Sequence, residues 1–140
     1  MSEIIDVQGV EESDGEVNKT LANGTYPGRV ESCAWKEIEK EGDYQGAMML
    51  LYSVLLTDPE SEVSVMANDS IILPCDAMTA DQKRRSLAKI KRLQIACGLE
   101  EMGNKIDNEA FMYQEIMVET YVKKDKEYGD QNKIKDVLPR

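Results

Sequence analysis

Residues 47–58 read AMMLLYSVLLTD, and the fold depends on how they are taken. Nine of the ten positions from Ala47 to Leu56 are apolar, so periodicity alone admits a buried helix or a buried strand. Ser53, Val54 and Thr57, the Asp58-Pro59 stop and the short length favour a strand covered on both faces. Upstream, TYPGRVESCAWKEI (25–38) alternates, with Tyr26, Gly28, Val30, Ser32 and Ala34 on one face and Arg29, Glu31, Cys33 and Trp35 on the other. This predicts a strand whose small residues face a crowded interior, joined to the first stretch by a polar hairpin centred on Gly42-Asp43.

Downstream, EVSVMANDSIIL (62–73) predicts a third strand, bent at Asn68-Asp69 and ended by Pro74. Thr79 with Gln82 three residues later forms a capping box, and Gly98 is a natural residue just past a helix end. Together they predict a helix over 80–97. Residues 99–114 form a connection with short helical turns. EIMVETYVKK (115–124) alternates again, with Ile116, Val118, Thr120 and Val122 opposed to Met117, Glu119, Tyr121 and Lys123. The loop DKEYGDQN leads to a last strand, KIKDVL. The order β-β-β-α-β-β predicts a mainly β fold, a five-stranded OB-like Greek-key barrel with one helix between strands three and four. A helix-backed open α+β sheet is the alternative. Val30, Leu51, Ile72, Leu87, Ile90, Leu93, Ile116 and Val118 are the expected core.

A chain of 140 residues suits one domain. Residues 20–140 are read as the OB-like domain, and residues 1–19 as a disordered acidic tail with six acids among its first eighteen residues and no base there. Ile4, Ile5, Val7 and Val10 are a mild exception within it and leave room for a short docking segment. No run of eighteen apolar residues occurs, and the N-terminus lacks a secretory pattern, so a cytoplasmic protein without membrane contact is expected. The absence of histidine removes His-based general base catalysis, His-activated nucleophiles and His-containing metal sites. Cys33, Cys75 and Cys97 are widely spaced, which fits small core residues better than a disulfide scaffold or a metal site. No phosphate-loop or nucleophile-elbow motif is present, and no enzyme activity, cofactor or metal is expected.

The formal charge is −10, but it is unevenly spread. Residues 1–76 hold 16 acids against 4 bases, and residues 77–140 hold 11 acids against 13 bases. Six bases, Lys83, Arg84, Arg85, Lys89, Lys91 and Arg92, lie on the predicted helix, as a phosphate-contacting patch, a plain solvated face or a dock for the tail. A second group interleaves rings with cations: Trp35, Tyr121 and Tyr128 with Arg29, Lys123, Lys124, Lys126, Lys133 and Lys135. Rings supply stacking platforms for unstacked bases and cations hold the backbone, which is what a single strand needs. Trp35 and Tyr121 serve equally well as ordinary cross-strand packing residues, and Tyr26 and Tyr52 fit the core better.

Three stretches carry a family resemblance: LANGTYPGRVESC (21–33), AKIKRLQIACGLEE (88–101) and EIMVETYVKKDKEYGDQNKIKDVLP (115–139). Over roughly residues 20–139 the chain resembles phage-type single-stranded DNA-binding proteins encoded beside replication and recombination genes. The resemblance rests on Ala22-Asn23-Gly24-Thr25-Tyr26, Ala96-Cys97-Gly98 and Asn132-Lys133-Ile134-Lys135. It implies an OB-like fold, binding of single-stranded DNA without sequence reading, phage replication or recombination proteins as partners, and the cytoplasm of an infected host. It implies no catalytic residue and is compatible with an oligomer. The acidic segment stands at the N-terminal end, whereas many single-strand binders carry one at the C-terminal end, and the first hairpin loop is acidic too. An acidic OB-like protein-interaction module, or a mimic of DNA charge, is the alternative function.

Overall fold

Strand alternation, hidden in the apolar run at 47–58, organises the whole domain. The structure is a computed structural model that describes residues 20–103 and 105–140; the acidic tail expected at residues 1–19, with Ile4, Ile5, Val7 and Val10, lies outside the described residues. Five strands form a closed barrel: β1 (Gly24–Glu37), β2 (Met48–Thr57), β3 (Ser64–Ile72), β4 (Glu115–Lys123) and β5 (Gln131–Pro139). The order around the barrel is β1-β2-β3-β5-β4, and β4 returns to β1. Only β3 and β5 run parallel, through the single pairing Asn68↔Lys133. One helix, α1 (Ala80–Ala96), lies between β3 and β4, so the fold is the OB-like barrel expected from the element order.

Within β2, Leu50, Tyr52, Val54 and Leu56 point inward and are buried, while Met49, Leu51, Ser53, Leu55 and Thr57 face out and are partly exposed. The strand is therefore covered on one face rather than two. A continuous apolar run carries no parity signal, so Leu51 falls outside the expected core, and its register partner on β3, Ser70, is exposed. Ile72, opposite Met49, is likewise only partly buried, and Ile71 takes the inward place. β3 runs unbroken through Asn68-Asp69, where a bend was expected. Asp69 faces inward, accepts a hydrogen bond from Tyr52 Oη (3.1 Å) and lies 3.9 Å from Lys89 Nζ.

β1 corrects a second expectation. Val30 pairs with Val54 but Ser32 pairs with Ser53, so Glu31 is an extra residue, a β-bulge. One inserted residue reverses every later side chain. Gly28 and Val30 face the interior as expected, but beyond the bulge Cys33 and Trp35 turn in and Ser32 and Ala34 turn out. The interior at Gly28 is crowded: an added Cβ would sit 2.6 Å from Val54 Cγ1.

Helix α1 begins on the capping box, with Thr79 Oγ1 accepting from Gln82 N (3.2 Å) and Gln82 Oε1 accepting from Thr79 N (2.8 Å). It ends in a Schellman motif, with Gly98 at φ +73° and Leu99 N donating to Gln94 O (2.7 Å). Ile90, Leu93 and Ala96 are buried. Leu87 remains 47% exposed, since the helix is buried mainly through its later turns. Three helix bases find acids: Arg84 with Asp81, Lys89 with Asp69, and Arg92 bidentate with Asp136 (2.5 and 2.6 Å). Phe111, from the second of two short 3₁₀ turns (Glu100–Met102 and Asn108–Phe111), is fully buried and completes the core.

Candidate nucleic-acid interface

The register pairings connect residues far apart in sequence into rows across the barrel's outer surface. One row runs Ser32–Ser53–Asn68–Lys133–Tyr121, from β1 through β2, β3 and β5 to β4. Four strand spacings make it about 19 Å along the curved surface, and because it touches all five strands it follows the barrel's circumference. The adjacent row begins Arg29–Leu55–Met66, and Gln131 and Lys123 lie opposite each other on β5 and β4 beside it. The outward residues of β2 and β3 are Met49, Leu51, Ser53, Leu55 and Thr57, then Ser64, Met66, Asn68, Ser70 and Ile72. None is a carboxylate, in a chain that has 27 acids.

A buried polar network holds the β4–β5 side of this surface. Asn132 Oδ1 accepts from Leu21 N (2.9 Å), and its Nδ2 donates to Leu21 O (2.9 Å) and Thr120 Oγ1 (3.2 Å). Thr120 Oγ1 donates in turn to Lys133 O (2.6 Å). Both side chains are buried, and these bonds satisfy them. With Thr120 and Asn132 locked inward, their neighbours Tyr121 and Lys133 must face outward. Tyr121 is 40% exposed.

The β4–β5 turn is shaped by Asp125. Its carboxylate accepts from Glu127 N (2.8 Å) and Tyr128 N (3.1 Å), and its carbonyl accepts from Gly129 N (2.9 Å). Those amide bonds, chiefly that from Tyr128, hold the Asp125 carboxyl below its ordinary range, and nearby Lys123 and Lys133 add to the effect. The turn lifts Tyr128 to 69% exposure, with Lys124 and Lys126 exposed beside it. From residue 121 to 135 five lysines meet three carboxylates, a local cationic excess in an acidic chain.

The structure thus brings together Tyr121, Lys123, Lys124, Lys126, Tyr128 and Lys133. Arg29 stands on the opposite side of the same surface, paired with Glu31 (2.7 Å) and lying over the Tyr113 ring (6.0 Å to the centroid). Lys135 turns to Glu119 (3.4 Å) and borders a small cleft with Lys89 and Arg92. Trp35 is not on this surface. The bulge at Glu31 turns it inward, where it packs against the core beside α1. Sequence reasoning missed Asn68, Ser32, Ser53, Leu55 and Met66 as parts of the surface. Asn68 and Ser70 carried a signal, since polar residues two apart in a strand mark an exposed face, but with Asp69 between them the stretch resembled a turn.

Other chemistry finds little footing. Burial pushes the Cys33 thiol up to about 11 and the Cys97 thiol up to about 12, so neither is a ready nucleophile. Among the described residues no group of three or more Cys, Asp or Glu side chains is arranged to hold a metal, and no helix is long and apolar enough to cross a membrane. Compared with protein-family models and with curated proteins, the chain matches none of them.

Proposed function

We propose that the protein is a non-enzymatic single-stranded DNA-binding protein, taking a strand across the outer face of β3 and β2 from the β4–β5 turn. The observation that carries this reading is the Ser32–Ser53–Asn68–Lys133–Tyr121 row, with exposed rings and lysines at one end and no carboxylate on its β2 and β3 neighbours. Tyr121 and Tyr128 offer flat faces to bases, Leu55 and Met66 offer apolar contact, and Lys123, Lys124, Lys126 and Lys133 meet phosphates. Stacking on rings does not distinguish bases, so sequence preference is weak. The β1–β2 connection, with Glu39, Glu41 and Asp43, repels phosphate and directs the strand toward the opposite loop. The family resemblance supports a phage origin and a role in protecting strands during replication or recombination.

Titration of labelled oligo-dT at low and moderate salt tests the proposal. Tyr121→Ala is expected to weaken binding by ~1–3 kcal/mol, the range for one base–ring stack. Lys133→Gln is expected to reduce the salt slope by about 0.7, one phosphate contact on a single strand. Trp35→Ala is expected to lower stability and leave DNA affinity unchanged, because the ring faces α1. Absence of binding at about 50 mM salt, where phosphate contacts are strongly favoured, refutes the proposal. That result favours a protein-interaction module, for which the partly exposed apolar side chains Met49, Leu51, Leu55 and Met66 form a docking face.

A further inference from the structure

The end of the barrel beside α1 carries a groove of about 350 Å³ unrelated to the proposed DNA surface. Trp35, Leu73, Leu87, Ile90 and Ile106 line it. Leu87 is nearly half exposed there. Lys83 and Lys91 stand four residues before and after Leu87, so the three share one stripe of α1, and Lys91 itself lines the groove. The site is therefore apolar at its floor, with Lys91 on its helical rim and Lys83 further along the same stripe of α1, outside the lining. Gln94 closes one side by donating from Nε2 to Gly103 O (3.1 Å).

We propose that this groove takes the chain's own segment Glu3-Ile4-Ile5-Asp6-Val7, with the branched apolar side chains on Trp35 and Leu87 and the two carboxylates against Lys83 and Lys91. The pattern is complementary: three apolar residues in four positions, interleaved with acids, meet an apolar strip lined by one base, Lys91, with Lys83 two turns earlier on the same stripe of α1. No base accompanies the six acids of residues 1–18, so the segment has no cation of its own to satisfy them there. The tether is sufficient. Thirteen residues separate Val7 from Leu21, the first buried residue among those described, and span up to about 45 Å when extended. A domain of about 120 residues is only on the order of 35 Å across. Tethering supplies an effective concentration of about millimolar order. A groove with an intrinsic dissociation constant of ~0.1 mM is then occupied about ten to one.

Trp35 is the only tryptophan of the chain and reports on the groove directly. The experiment compares acrylamide quenching of Trp35 emission in the full chain with that in the I4S/I5S/V7S variant, whose changes lie outside the barrel. At about tenfold occupancy, losing the occupant is expected to raise the quenching constant about two- to threefold and shift emission to the red. Lys91→Glu is expected to act in the same direction, and acrylamide is uncharged, so its access is not altered by the charge change. A peptide of residues 1–12 is expected to restore shielding in the triple variant. Quenching in the triple variant equal to that of the wild type overturns the proposal. So does wild-type shielding that disappears on dilution together with a dimer, because the occupant is then a second copy. The assay contains no nucleic acid, so its outcome is independent of the DNA-binding reading.

Discussion

Replacing Asn132 by alanine removes three hydrogen bonds at once from the junction of β4, β5 and the start of the barrel. The cost follows from two competing responses. If Leu21 stays buried, its N–H and C=O both lose their side-chain partner, and each unsatisfied buried group costs ~1–3 kcal/mol. If Leu21 instead leaves the core, those groups rehydrate, but a leucine burial worth ~1.5–3 kcal/mol is lost, offset in part by recovered chain entropy. The cheaper route sets the limit, so the expected loss is ~2–3 kcal/mol. For a domain of about 120 residues this lowers Tm by roughly 8–12 °C. Thermal and urea unfolding followed by circular dichroism measure it. Hydrogen exchange should also quicken at Leu21 and at Val122, whose N–H donates to the Asn23 side chain next to it (2.9 Å). Asn132→Asp keeps the acceptor for Leu21 N but loses both donated bonds and buries a charge, so it should be at least as harmful at neutral pH. An Asn132→Ala protein within about 0.5 kcal/mol of wild type, the scatter of neutral surface changes, refutes the claim that this network orients Tyr121 and Lys133.

Gly28→Ala should destabilise by ~1–3 kcal/mol through overpacking, because the new methyl meets Val54 Cγ1 at 2.6 Å and Leu56 Cδ2 at 3.0 Å; an unchanged urea midpoint contradicts this. The Arg92 guanidinium holds the Asp136 carboxyl below its ordinary range of 3.8. A carboxyl depressed in the folded state contributes its stability above the unfolded value and loses it as pH falls through the folded one. Arg92→Gln should therefore be less stable than the wild type at neutral pH and converge with it as pH falls below about 4, and a difference in urea midpoint that does not shrink in acid would exclude the linkage. The exposure of Tyr128 predicts that Tyr128→Ala leaves Tm within about 1 °C, as for other exposed surface changes, while oligo-dT affinity falls; a large Tm loss would mark Tyr128 as a packing residue instead.

Several elements were legible before any tertiary structure. The helix start at Thr79 with Gln82 and its end at Gly98 are local chemistry, as is the alternation of β4 that sets Ile116, Val118 and Thr120 against Tyr121 and Lys123. Such features involve residues within a turn or a pleat of one another, so the sequence by itself determined them. The element order pointed to the barrel, with a helix-backed open sheet as the alternative, because few topologies accommodate three strands, a helix and two more strands at this length. The parity of β2 and the bulge at Glu31 were not legible. An all-apolar strand reads the same in both registers, and an extra residue is visible only against the partner strand it fails to match. Trp35 changed sides for that reason, passing from an expected platform to the groove under α1. The Asn68–Lys133 bridge likewise exists only once β3 and β5 lie side by side, 65 residues apart in the chain. Tertiary structure alone decided which cations and rings share a surface, because strand pairing between distant segments depends on closing the barrel around one core.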